Sequence, residues 1–227
     1  MIDLEHYYMR LRYHLDSLLD LRYGGYFGGF QKSRYAHLGA QGTSSSFYFV
    51  LSRLFRKYPV KESDVLVDVG CGKGRVINWW LRKGYRNRII GIELDEILAA
   101  RARKTFGKYE NVEIVCGNAI DAIPADGTVF YIYNSFTGTV MQEFRDRLKQ
   151  TCRRMDDVRI YYVCTEFLDA FKGDPDWVVR TNYEAAKNDP EWPVQDLDFG
   201  ISYTVAIIEP VKGRKRLACL DGESGQG

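Results

Sequence analysis

The chain has 227 residues, 45% of them hydrophobic, and a formal net charge of +2. That supports one cored domain with appendages, and the charge argues neither for nor against a polyanion partner. No N-terminal apolar segment resembles a signal peptide and no run approaches membrane-spanning length. The five cysteines (71, 116, 152, 164, 219) are odd in number and lack metal spacing, so a reduced, cytoplasmic protein without a metal site is expected.

Residues 2–22 read as a helix, with Leu4, Tyr8, Leu11, Leu15, Leu18 and Leu19 at helical spacing. Such a stripe suits packing over a core; a lid or a dimer contact is the alternative. His6 and His14 on this helix are expected at the surface. Residues 23–46 are rich in glycine and aromatic residues and cannot hold a helix. An irregular loop of this length inside a compact domain is usually functional. A loop folded over a ligand would use Tyr26, His37, Thr43 and Ser44.

Residues 47–58 resume helical spacing until Pro59 ends the helix. The apolar run Val65–Val69 then suits a buried strand, followed by a turn with Gly70, Gly72 and Gly74. A helix placing Val76, Ile77, Trp80 and Leu81 on one side comes next. Further strands are expected over 88–93, 112–116, 128–133 and 158–164, with helices over 94–106 and 141–154 between them. Strands alternating with helices imply parallel crossover units. Trp177–Tyr183 and Ile201–Ile208 are strand-like, separated by a loop holding Pro190 and Pro193. Cys116 and Cys164 sit in apolar strand-like runs and are expected to be buried. The tail from Gly213 is expected to be disordered, its basic cluster merely solvated.

Strand, glycine turn and helix together make a nucleotide-binding edge. Glycines let a ligand approach the backbone, and a helix start offers free N–H groups. The spacing excludes two common nucleotide motifs. In the dinucleotide pattern G-x-G-x-x-G, Arg75 stands where the third glycine belongs. In the phosphate loop, Gly74 stands where the hydroxyl residue belongs.

What remains is Asp68-x-Gly70-x-Gly72-x-Gly74, within Val-Asp-Val-Gly-Cys-Gly-Lys-Gly-Arg. This resembles motif I of the class I S-adenosylmethionine-dependent methyltransferases, and more narrowly a group of small bacterial members with the run D-x-G-C-G-K-G-R. The resemblance covers roughly residues 40–210. It implies an α/β, Rossmann-like seven-stranded sheet, mostly parallel with an antiparallel last strand. The expected division is an N-terminal helix and lid loop (1–46), a methyltransferase domain (47–212) and a tail (213–227).

The resemblance also implies roles at the strand ends. Asp68 and the turn of Gly70, Cys71, Gly72 and Gly74 would hold the methionine part of S-adenosylmethionine. Glu93, about twenty positions past the first glycine, would accept both ribose hydroxyls. Leu94 would pack on the adenine. Asn118, where many relatives carry an acidic residue, would accept a bond from the adenine amino group, next to Ala119. Tyr133 and Thr43 complete the cofactor set. Tyr133-Asn134-Ser135-Phe136 stands at motif IV, where the group usually shows N-P-F; Ser135 replaces the proline. Asn134 would touch the acceptor, and Glu166 and His37 are candidate bases.

The function implied is methyl transfer to a nitrogen or oxygen of an unidentified acceptor, whether a small molecule, sugar or protein side chain. Two alternatives stand beside it. One is a non-catalytic binding module of the same fold, against which Asp68, the glycines and Glu93 speak. The other is a nucleic-acid base methyltransferase, disfavoured by the near-neutral charge.

Overall fold

The computed structural model describes residues 4–181 and 204–212, with the backbone only for residues 4–10 and 12. The expected tail, the loop holding Pro190 and Pro193, the start of the last strand and Cys219 lie outside the described residues.

Seven strands form one sheet: β1 (Leu66–Val69), β2 (Ile89–Glu93), β3 (Val112–Cys116), β4 (Val129–Tyr133), β5 (Arg159–Val163), β6 (Trp177–Thr181) and β7 (Val205–Pro210). Their order is β3-β2-β1-β4-β5-β7-β6. Neighbours from β3 through β5 pair in parallel. β7 runs antiparallel to both β5 and β6. The chain order reverses across β1, which pairs with β2 on one side and β4 on the other. Crevices at such a switch point, beyond the carboxyl ends of the strands, are where open α/β sheets bind ligands.

Successive strand residues alternate between two cores, as the pleat requires. Leu66, Ile89, Tyr131 and Tyr161 face one core. Val67, Ile90, Ile132 and Tyr162 face the other. The first core is covered by α2 (Tyr48–Lys57), α3 (Arg75–Arg82) and α4 (Glu96–Phe106). The second is covered by α5 (Gly138–Thr151) and the short α6 (Asp169–Lys172). With both faces covered, the central strands read as near-continuous apolar runs, which is why they were legible.

The leading helix, α1 (Leu4–Arg22), does not use its leucine stripe as expected. Leu11, Leu15 and Leu18 are 48%, 45% and 62% exposed. The inward side instead carries Tyr13, Leu19, Asp16 and Asp20. The two carboxylates face Arg75, at the first position of α3. Arg75 Nε donates to Asp20 Oδ1 at 3.0 Å and Nη2 donates to Asp20 Oδ2. Its Nη1 donates to the carbonyl of Ser46 at 3.2 Å and lies 3.8 Å from Asp16. Asp20 also accepts from the Tyr48 hydroxyl at 2.8 Å and from the Phe27 N–H at 3.1 Å. The side chains of Arg75 and Asp20 are 2% and 0% exposed. The network clamps the N-terminal segment onto the first turn of the helix that follows the glycines.

Cys116 is exposed, contrary to expectation, because β3 is an edge strand. Cys164 is only partly buried. Among the described residues no helix is long and apolar enough to cross a membrane.

Breaking a buried ion pair leaves the other charge uncompensated. Arg75→Ala should therefore cost about 3–5 kcal/mol in urea unfolding. A loss below about 1 kcal/mol would show that the clamp is dispensable.

Candidate active site

The glycine turn is built by three left-handed residues. Gly70, Gly72 and Gly74 have φ of 74°, 53° and 87°. A side chain is excluded there twice over. A Cβ on Gly70 would stand 2.7 Å from the Ser135 hydroxyl, and one on Gly74 would stand 2.3 Å from the Phe106 ring. Gly74 thus serves helix packing rather than ligand approach. Four N–H groups of the turn are engaged within the protein. Those of Gly70 and Cys71 both donate to the Ile92 carbonyl, and that of Gly74 donates to the Cys71 carbonyl. The Gly72 N–H donates to Glu93 Oε2 at 2.7 Å.

Glu93 is thereby fixed. Its other oxygen accepts from the Asp95 N–H at 2.8 Å. Each oxygen keeps a lone pair for a ligand hydroxyl. Burial raises the Glu93 carboxyl above its ordinary value, partly offset by these backbone donors. Asp68, on β1, is 3% exposed and its Oδ2 is buried without a partner. Burial, and then the Glu93 charge, pushes the Asp68 carboxyl up to about 8.

A cavity of about 830 Å³, including its open mouth, lies over these strand ends. Gly70, Glu93, Leu94, Asn118, Ala119, Tyr133 and Thr43 all line it, as does Ser44. Asn118 Oδ1 already accepts from the Ile120 N–H at 3.0 Å, leaving one acceptor site.

Other candidates stand elsewhere. Cys71 packs its side chain in the core, Asp68 is sealed within the strand, and Gly72 and Gly74 do not line the cavity. Tyr26 is 52% exposed and exchanges a hydrogen bond with Tyr13 at 3.0 Å. His37 is exposed on a 3-10 turn (Ala36–Leu38) with its ring 6.3 Å from that of Tyr35, and does not line the cavity. Glu166 is exposed and also outside it, because the turn after β5 carries it past the strand end. Asn134 also does not line the cavity; it stands between the lining residues Tyr133 and Ser135, with its Oδ1 buried and unpartnered.

The remaining wall comes from residues the sequence did not single out. Gln31, Tyr35, Leu38 and Gln41 of the N-terminal segment line the cavity, opposite Phe136 and Val140. The segment is pinned rather than loose. Gln31 and Thr43 form an antiparallel bridge, as do Ala40 and Phe136. Arg34 forks onto Asp95, donating from Nε to Oδ2 at 3.0 Å and from Nη2 to Oδ1 at 2.9 Å. The Arg34 guanidinium holds the Asp95 carboxyl below its ordinary value. Asp95 also caps α4, accepting from Ile97 and Leu98 N–H groups. Among the described residues no cluster of His, Cys, Asp or Glu is arranged to hold a metal ion.

Residues 66–158 match the family described as "Methyltransferase domain". Over 97 residues the chain is 30% identical to a ribosomal RNA small subunit methyltransferase A of Thermotoga neapolitana. That match covers 41% of this chain and 36% of the relative, so the chain spans about a third of the relative's length. An RNA methyltransferase from Salinibacter ruber, solved with S-adenosyl-L-homocysteine, superposes with a TM-score of 0.53 at 22% identity, over 76% of this chain and 97% of that one. An S-adenosylmethionine-dependent O-methyltransferase from Thermotoga maritima gives 0.52 at 17% identity, over 85% and 80%. Strand order and these superpositions give the chain a Rossmann-like methyltransferase fold, with the family match lying over residues 66–158.

The raised Asp68 value predicts a pH dependence of the ligand-free protein. The folded value lies above the ~3.9 of an unfolded aspartate. The fold therefore retains a proton that the unfolded chain releases, and stability falls as pH rises toward about 8. Asp68→Asn stays neutral and should escape this loss. Its urea midpoint relative to the parent should rise between about pH 5 and about pH 8. Parallel pH curves for the two proteins would show that Asp68 ionises freely.

Proposed function

We propose that the protein binds S-adenosylmethionine in this cavity and transfers its methyl group to a nitrogen or oxygen of an acceptor entering beside Asn134. One observation carries the reading: a rigid, buried Glu93 carboxylate sharing a cavity with the side-chain-free Gly70. The residues present fit the cofactor. Glu93 offers two acceptor oxygens to a ribose diol, and Leu94 and Ala119 supply apolar contact for the adenine. Asn118 keeps one acceptor site for its amino group. The unpartnered Asp68 oxygen lies two residues before Gly70, and an ammonium group of the ligand, reached through water, would favour its ionised form.

When bound, the cofactor supplies a sulfonium methyl with a neutral thioether leaving group. The chain's own residues bind, orient and exclude water. Proximity effects of this kind reach ~7–11 kcal/mol in favourable cases. Tyr133, Phe136, Tyr35 and Leu38 would dry the cavity around the reacting atoms.

Asn134 leans the reading toward a nitrogen acceptor. The near-neutral charge and absent basic stripe made nucleic acid an unlikely partner; the T. neapolitana relative, which carries the name of a ribosomal RNA methyltransferase, speaks against that expectation. An RNA base therefore stands beside small molecules, sugars and protein side chains as acceptor. A non-catalytic module of the same fold would bind the cofactor without using Asn134.

Glu93→Ala should weaken S-adenosylhomocysteine binding by about 1–3 kcal/mol in calorimetric titration, as for unpaired donors in a buried site. Asn134→Ala should leave that affinity within about twofold while depressing methyl transfer, since Asn134 adjoins the cavity without lining it. Parental affinity in Glu93→Ala would overturn the assignment at the end of β2.

A further inference from the structure

Between two backbone seams the N-terminal segment runs as an arm, residues 32–38. At one end Gln31 and Thr43 exchange backbone hydrogen bonds at 3.0 and 2.8 Å. At the other, the Gln41 N–H donates to the Ser135 carbonyl at 3.0 Å, and the Thr137 N–H donates to the Gly39 carbonyl at 2.9 Å. Among the described residues, the hydrogen bonds and ion pairs that the arm makes beyond residues 23–46 fall on Asp95 and Glu96. Arg34 forks onto both Asp95 oxygens and lies 3.5 Å from Glu96, and the Tyr35 hydroxyl donates to Glu96.

The fork lands beside the carboxylate assigned to the ribose. Asp95 is two residues past Glu93, and its N–H donates to Glu93 Oε1 at 2.8 Å. Its side chain is 9% exposed and caps α4 through the N–H groups of Ile97 and Leu98. Ser33, Tyr35 and Leu38 of the arm line the same cavity as Glu93, Leu94 and Asp95. One contact therefore ties the arm to the turn that carries Glu93, and its length fixes the gap between them. A pair with one half-exposed partner adds little to the stability of the whole fold. A bidentate fork nevertheless adds geometric specificity, because two parallel N–H···O bonds fix distance and orientation together.

We infer that Arg34 is a positioning residue of the cofactor site: through Asp95 it holds the arm at a fixed distance from Glu93, so that the ribose of S-adenosylmethionine is gripped between them. This rests on the methyl-transfer reading above. Arg34 does not itself line the cavity. It acts through Asp95 on the turn of Glu93, and through the chain on its neighbour Tyr35. Glu93 holds the ribose hydroxyls, and the arm keeps the ribose seated on Glu93. Once Glu93 no longer holds the ribose, the arm has nothing to keep in place. The two contributions are therefore coupled, as expected of residues that share a partner.

The test is a double-mutant cycle on the full chain, read by calorimetric titration with S-adenosylhomocysteine. Arg34→Ala should weaken binding about fivefold, the scale of one well-formed ion pair at a half-exposed site. In a Glu93→Ala background the same change should weaken binding by less than about twofold. Arg34→Lys keeps the charge but cannot fork onto both oxygens, so it should recover part of the loss at most. A merely structural contribution of the arm would act alike in both backgrounds. Parental affinity in Arg34→Ala, the full loss repeated in the Glu93→Ala background, or full recovery by Arg34→Lys would overturn the inference. Absence of S-adenosylhomocysteine binding in the parent would instead overturn the cofactor reading.

Discussion

The cavity depends on one buried pairing, Arg75 with Asp20. Arg75 is the first residue of the helix that leaves the glycine turn, and Asp20 lies in the last turns of the leading helix. Each would be expensive to bury alone, so neither element can leave without stranding a charge. The pairing fixes where α1 ends and thus where the next twenty-odd residues begin. From there the segment crosses the carboxyl ends of the strands, pinned at Ala40 to Phe136 and at Arg34 to Asp95. The Arg34 pair is half-exposed and contributes little by itself, ~0–1 kcal/mol. The buried clamp sets the path, and the surface contacts trim it.

With that wall in place, the electrostatics of the strand ends follow from burial. Burial raises the cost of ionising both Asp68 and Glu93, and the Glu93 charge adds to the cost at Asp68. Glu93 offsets part of the cost with two backbone donors, which also hold it rigid. Asp68 has an oxygen without a partner. A ligand carrying hydroxyl donors and an ammonium group would relieve both. A rigid acceptor and an unsatisfied one favour such a ligand over a phosphate, which would bring more negative charge.

Much of this was legible from residues 65–118. Apolar runs of strand length alternate there with amphipathic helices, and the glycine spacing excludes two of the three common nucleotide turns. Local chemistry sufficed because neighbouring strands pair in parallel and both faces are covered. The N-terminal segment was harder to read. Its leucine stripe suggested a core-facing helix, but the face that packs is defined by Asp16 and Asp20. Carboxylates read as surface residues unless their partner is known, and Arg75 is 55 positions from Asp20. A cluster of two carboxylates one turn apart, on a helix otherwise rich in leucine, was the available signal. Cys116 was misjudged because a strand's apolar content does not say whether it lies at the sheet edge. His37 was a candidate as the histidine of the glycine-rich loop and Glu166 as a carboxylate past the end of β5, but both stand outside the cavity.

The central claim is that the cofactor crevice has two walls, the glycine-turn sheet edge and the N-terminal segment. Hydrogen–deuterium exchange with and without S-adenosylhomocysteine tests it most directly. Slowed exchange is expected at Gly70–Gly72, at Glu93–Asp95 and also across Gln31–Ser44. Slowing confined to the sheet edge, with Gln31–Ser44 unchanged, would contradict the claim and leave the second wall to be sought elsewhere.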